Sequence, residues 1–86
     1  MIYIERTSAF KKKYKRIPKR IKQKAKKMEV IFKENPFDAR LRIHQLHGQK
    51  RTAWAYFIDH SYRIIFVFIN KDTVLYLDIG THEIYK

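Results

Sequence analysis

Ile64-Ile65-Phe66-Val67-Phe68-Ile69 is an unbroken apolar run of β-branched and aromatic residues, set between Arg63 and the turn-forming Asn70-Lys71-Asp72. It is far too short to cross a bilayer and is rich in the residue types that favour strands. Alternate residues of a strand face opposite sides of its sheet. A run that is apolar at both parities therefore has both faces covered, so this strand is expected at the centre of a sheet. One face should meet helices and the other should be partly covered by aromatics.

Outward from this run the same composition recurs. Leu41 to Leu46, Ala53 to Ile58, Tyr62 to Ile69 and Thr73 to Ile79 are strand-prone, with Gly48, Asp59-His60-Ser61 and Asn70-Lys71-Asp72 between them as turn formers. They read as consecutive antiparallel strands. Upstream, Ile2-Tyr3-Ile4 is a short strand, and Thr7 or Ser8 can cap a helix on which Phe10, Tyr14 and Ile17 form a narrow apolar stripe. Pro18 suits the first turn of a second helix with Ile21, Ala25, Met28 and Phe32 on one side, which Asn35-Pro36 stops. Neither helix is stable alone, since a short helix in water depends on burying its stripe. The expected fold is a single α+β domain over residues 1–86: an N-terminal strand and a two-helix basic hairpin packed on a mostly antiparallel sheet of four to five strands.

Charge is concentrated in the hairpin. The 86 residues carry 20 Lys and Arg against 8 Asp and Glu, a net charge of +12, and residues 1 to 36 hold thirteen of the basic and three of the acidic side chains. Such density costs stability through mutual repulsion unless a polyanion relieves it, which points to nucleic acid, an anionic membrane or an acidic protein. The absence of cysteine excludes a disulfide framework and a thiolate metal site and fits a reducing cytosol. No apolar segment suggests a signal peptide or a membrane span, so a soluble, cytoplasmic protein is expected.

Three stretches carry a resemblance. Ile79-Gly80-Thr81-His82-Glu83-Ile84-Tyr85 is similar to a G-T-H ending, His44-Gln45-Leu46-His47-Gly48 to an H-x-L-x-G motif, and Ser61-Tyr62-Arg63-Ile64-Ile65-Phe66 to an aromatic-Tyr-Arg-aliphatic strand. Together, in this order and on this element pattern, they resemble the RelE/ParE toxin superfamily in its YafQ-like branch. The resemblance implies a type II toxin that cuts messenger RNA on the ribosome without a metal or other cofactor. In that reaction the ribose 2′-hydroxyl attacks the adjacent phosphate and expels the next 5′-oxygen. It also implies a cognate acidic antitoxin and contact with ribosomal RNA, with the free toxin a monomer. Departures stand against full equivalence: Phe57 replaces a histidine, Ser61 an aspartate and Asp78 an arginine, and Trp54 and Tyr56 stand where relatives nearer RelE carry lysines.

The reaction needs a proton acceptor, a proton donor and positive charge on the phosphate. By resemblance, His82 protonates the leaving oxygen. Arg63 is the candidate phosphate clamp, because a guanidinium in an apolar strand needs a partner or an open groove; a solvated position or a pair with Asp78 is the plain alternative. His44 is a second acid/base or a backbone contact, or simply a polar strand position. Tyr85 is a candidate base-stacking side chain, with Trp54 and Tyr62 as further candidates, since single-stranded RNA is read on aromatic platforms. Lys11, Lys12, Lys15, Arg20, Lys24, Lys27, Lys50 and Arg51 are the expected RNA-backbone contacts, and Asp59 or His60 is a possible substitute for a missing acid/base group. Four histidines, His44, His47, His60 and His82, invite a metal reading, but positions three apart on a strand point to opposite faces, so His44 and His47 do not converge.

Two other functions fit the same residues. A non-enzymatic ParE-like inhibitor of DNA gyrase would use the fold without the histidines. A plain or catalytically weakened RNA-binding module would bind with steep salt dependence and cut nothing.

Overall fold

A computed structural model describes residues 1–48 and 52–85, with Tyr85 described by its backbone. The first strand, β1 (Tyr3–Arg6), leads into α1 (Ser8–Lys15), whose N-cap is Thr7: its hydroxyl accepts from the Phe10 amide at 3.0 Å. Pro18 closes off α1, because the residue before a proline is pushed out of helical geometry. Pro18 itself is the N-cap of α2 (Lys19–Glu34), and its carbonyl accepts from the amides of Ile21 and Lys22. The helix ends at Asn35, extended at φ −155° ahead of Pro36.

Only part of the next expected strand forms. Asp38 caps a single 3₁₀ turn (Ala39–Leu41), Arg42 follows in the left-handed region at φ 52°, and β2 is reduced to His44–Gln45. Three longer strands follow: β3 (Ala53–Phe57), β4 (Arg63–Asn70) and β5 (Thr73–Gly80), then a closing 3₁₀ turn (His82–Tyr85). The sheet order is β1-β5-β4-β3-β2, with every pairing antiparallel except the parallel β1 and β5. The apolar run thus lies in the central strand, as its composition requires.

Both helices pack on one face of this sheet. Phe10, Ile21, Ala25 and Phe32 meet Tyr56, Ile64, Phe66, Val74, Tyr76 and Ile79, all buried. Phe32 stacks on Tyr56 with ring centroids 4.6 Å apart and meets Phe66 edge-on at 5.0 Å. The hydroxyls of Tyr56 and Tyr76 lie 2.7 Å apart in this core, and burial raises the pKa of both phenols above the ordinary value of 10. The opposite face is thinner and differs from expectation. Among the described residues its apolar layer is aliphatic, Ala53, Ala55 and Ile65 with Leu46, Val67, Leu77 and Ile84, the last folded back from the closing turn, and Phe57 is the ring at its end.

A bulge in β5 shapes the end of the sheet. Ile65 pairs with Asp78 but Phe66 pairs with Tyr76, so Leu77 is an extra residue. β1 has already ended there, and Asp78 reaches α1, where its carboxylate accepts from Lys13 Nζ at 2.6 Å. Ile79 then returns to the core, and Gly80 stands opposite Arg63.

Candidate active site

Arg63 opens β4 and is flanked by Phe57 on β3 and Gly80 on β5. Its guanidinium carbon lies 4.6 Å from the centroid of the Phe57 ring. The same ring holds a second cation, Arg42, at 4.9 Å, and the His44 ring at 5.8 Å. Phe57 therefore gathers two guanidiniums and an imidazole around one half-buried side chain. Local geometry explains how. The left-handed residue at Arg42 turns the chain sharply, and His44 Nδ1 lies 3.2 Å from the Arg42 carbonyl. A carbonyl only accepts, so this contact places the proton of a neutral His44 on Nδ1 and leaves Nε2 as its basic nitrogen.

His82 is reached by chain connectivity from the same place. Two residues after Gly80, the partner of Arg63, it begins the closing turn, exposed, with Nε2 3.9 Å from a Glu83 carboxylate oxygen. Gly80 has a steric role in this junction: a methyl group there would stand 2.6 Å from Ile84 Cγ2, so the close seat of the turn on the sheet depends on glycine. Tyr85 ends the turn.

The other expected residues divide. Arg63 is not the partner of Asp78, whose ion pair is with Lys13. Trp54 lies at the opposite strand parity to Phe57, on the helix face, in a ring cluster with Phe68 and the exposed Phe37. Tyr62 also packs toward the helix-face core. The structure therefore does not bring Trp54 and Tyr62 to Arg63 as stacking platforms. Lys11, Lys12, Lys15, Arg20, Lys24 and Lys27 are exposed on the helices, and Arg20 comes within 4.0 Å of Asp59. Lys50 and Arg51 lie outside the described residues.

Asp59 is not a spare acid. Partial burial pushes its carboxyl up, but hydrogen bonds from the Tyr62 and Ser61 amides and the charges of Lys24 and Arg20 outweigh this and hold it below the usual carboxylate value. With Lys24, Met28, Arg40, Arg42, Phe57 and His60 it lines a groove of about 220 Å³ on the outer edge of β3. A larger cavity, about 400 Å³ between the helices and the sheet with Phe10, Tyr14, Ala25 and Tyr76 in its walls, shares none of the residues gathered around Phe57. Among the described residues no three His, Asp or Glu side chains cluster as a metal site would require.

The arrangement offers two guanidiniums, an imidazole with a defined basic nitrogen and a second imidazole on a turn anchored to the same sheet end. Arg42 is the member that sequence reading missed; only its neighbour His44, two residues on, belongs to a recognisable motif. The fold that carries this site is that of the RelE/ParE toxins. The solved structure of YafQ from E. coli strain BL21(DE3) is similar over 98% of this chain and 97% of its own, with a TM-score of 0.78 and 19% sequence identity. A YoeB/ParE toxin from Agrobacterium tumefaciens matches 94% of this chain and 99% of its own (TM-score 0.76, 16% identity). YafQ in the E. coli DinJ-YafQ toxin-antitoxin complex matches 96% and 94% (TM-score 0.77, 20% identity). No family model and no curated protein sequence matches the chain.

Proposed function

We propose that this protein is a RelE/ParE-type toxin of the YafQ-like branch, an endoribonuclease that cuts messenger RNA on the ribosome and is silenced by an acidic antitoxin. The observation that carries the reading is the gathering of Arg63, Arg42 and His44 on the Phe57 ring, at the sheet end from which the His82 turn departs.

The chemistry follows from these groups. His44 Nε2 takes the proton of the ribose 2′-hydroxyl as its oxygen bonds to phosphorus. The bond from phosphorus to the next 5′-oxygen breaks, and His82 supplies the proton that oxygen needs. Arg63 balances the charge on the pentacoordinate phosphate, for which a planar guanidinium beside an apolar wall is suited. The products are a 2′,3′-cyclic phosphate and a 5′-hydroxyl. The exposed basic face of α1 and α2 fits ribosomal RNA, and the similarity to a toxin held in a toxin-antitoxin complex supports an antitoxin partner for this chain.

The test is purified protein added to ribosomes programmed with a defined messenger, with the ends of any fragments identified. Ribosome-dependent cuts bearing a cyclic phosphate and a 5′-hydroxyl are expected. Intact messenger, or fragments with a 5′-phosphate, would overturn the mechanism, and inhibition of DNA supercoiling in place of cleavage would move the protein to the gyrase-directed class.

A further inference from the structure

β2 covers β3 only as far as Ala55, so the outer edge of β3 at Phe57 is left without a neighbouring strand among the described residues. The groove described above lies at that edge, with Asp59 in its lining beside Lys24, Arg40, Arg42, Phe57 and Met28. Its charges are unevenly committed. Arg40 is held by Asp38 through two hydrogen bonds of 3.0 and 2.9 Å, which pull the Asp38 carboxyl down to about 2, and Asp59 is occupied by backbone amides. Lys24 and Arg42 form no ion pair among the described residues. Arg42 shares the Phe57 ring with Arg63, so this end of the groove carries two guanidiniums side by side. Arg42 stands at the end of the 3₁₀ turn in the left-handed region, at φ 52°.

We infer that the groove beside Phe57 is a second RNA subsite, in which Arg42, backed by Lys24, grips a phosphate flanking the scissile one while Phe57 holds Arg42 and Arg63 in a fixed relation. This rests on the proposed ribonuclease reading and extends it to a site beyond the reacting phosphate. Arg42 is here a binding residue and Phe57 a positioning residue. A single-stranded phosphodiester chain fits better than an acidic peptide, because beside the basic Arg42 and Lys24 the groove presents Phe57 and Met28, a wall suited to a base or ribose, and because it also holds the Asp59 carboxylate, which a peptide rich in carboxylates would meet.

The experiment measures binding of a short, fully 2′-O-methylated single-stranded RNA, which cannot be cleaved, to the full chain over a range of salt concentrations. Arg42→Asn keeps a residue that tolerates the left-handed backbone, so the variant folds. Affinity is expected to fall about tenfold, and the slope of log affinity against log salt to shrink by about 0.7, the loss of one single-strand phosphate contact. Arg42→Lys restores the slope but not the affinity, since it keeps the charge without the planar stack. Phe57→Leu lowers affinity at least as much as Arg42→Asn, whereas Lys71→Gln, the same charge removed beyond the far end of β4, leaves slope and affinity unchanged. Arg42→Asn binding like wild type, or no binding by the wild type, would overturn the inference. The two readings fail separately: ribosomal cleavage with an indifferent Arg42→Asn sinks only the subsite, and Arg42-dependent binding by a protein that cuts nothing sinks only the nuclease.

Discussion

The two faces of the sheet are built from different materials. Toward the helices stand Phe10, Phe32, Tyr56, Phe66 and Tyr76, a buried ring core that touches both helices and three strands. On the other side two alanines and a few aliphatics make a thin layer, closed by Ile84 of the last turn. A small domain has little surface to bury, and this one places most of its large side chains on a single face. The other face is then open at one end for a cluster of charged groups around Phe57. Stability and chemistry should therefore separate by face.

Phe32→Ala tests the thick face most severely. Removing a fully buried ring that contacts Tyr56, Phe66 and Tyr76 should cost about 3–5 kcal/mol in denaturant unfolding. A cost near that of a surface substitution would show that the ring core does not carry the fold. On the thin face, Gly80→Ala should force Ile84 and the His82 turn away from the sheet, with cleavage reduced about 10- to 100-fold and a smaller change in stability. Unchanged activity would mean that the seat of the turn does not matter to the reaction.

Tyr76→Phe removes one partner of the buried hydroxyl pair and leaves Tyr56 short of a hydrogen bond, for an expected loss of about 1–2 kcal/mol. The same pair sets an alkaline limit. Both phenols have pKa values raised in the folded protein, so their contribution is complete below the unfolded value of 10 and is lost as pH climbs beyond it toward the folded values. Wild-type stability measured across that range should fall with pH, and more steeply than that of Tyr76→Phe. Least affected should be Lys13→Gln. Its pair with Asp78 is half-exposed on the lysine side and should contribute no more than about 0.5 kcal/mol to unfolding in moderate salt.

The helices and the central strand were legible because their signals are periodic: Phe10, Tyr14 and Ile17 on one helix, Ile21, Ala25, Met28 and Phe32 on the other, and an apolar run at both parities. The stretch from Leu41 to Leu46 departs from its strand-prone composition for a local reason. The Asp38 side chain accepts from the Arg40 amide and turns the backbone into a 3₁₀ turn, a competition between side chain and strand that composition does not reveal. The aromatic cover expected over the central strand lies instead on the helix side, Trp54 with it, since Trp54 and Tyr56 share a parity that Phe57 does not. Arg63, His44 and His82 stand in recognisable motifs. Arg42 belongs to none, and its placement depends on a positive φ that no residue type at that position announces.

The central claim, that the His82 turn performs chemistry while the ring core holds the fold, is tested most directly by His82→Ala assayed two ways on the same preparation. Cleavage of ribosome-bound messenger should be lost while the unfolding midpoint stays at the wild-type value, His82 being an exposed side chain. Retained cleavage, or a cleavage loss matched by loss of the folded state, would contradict it.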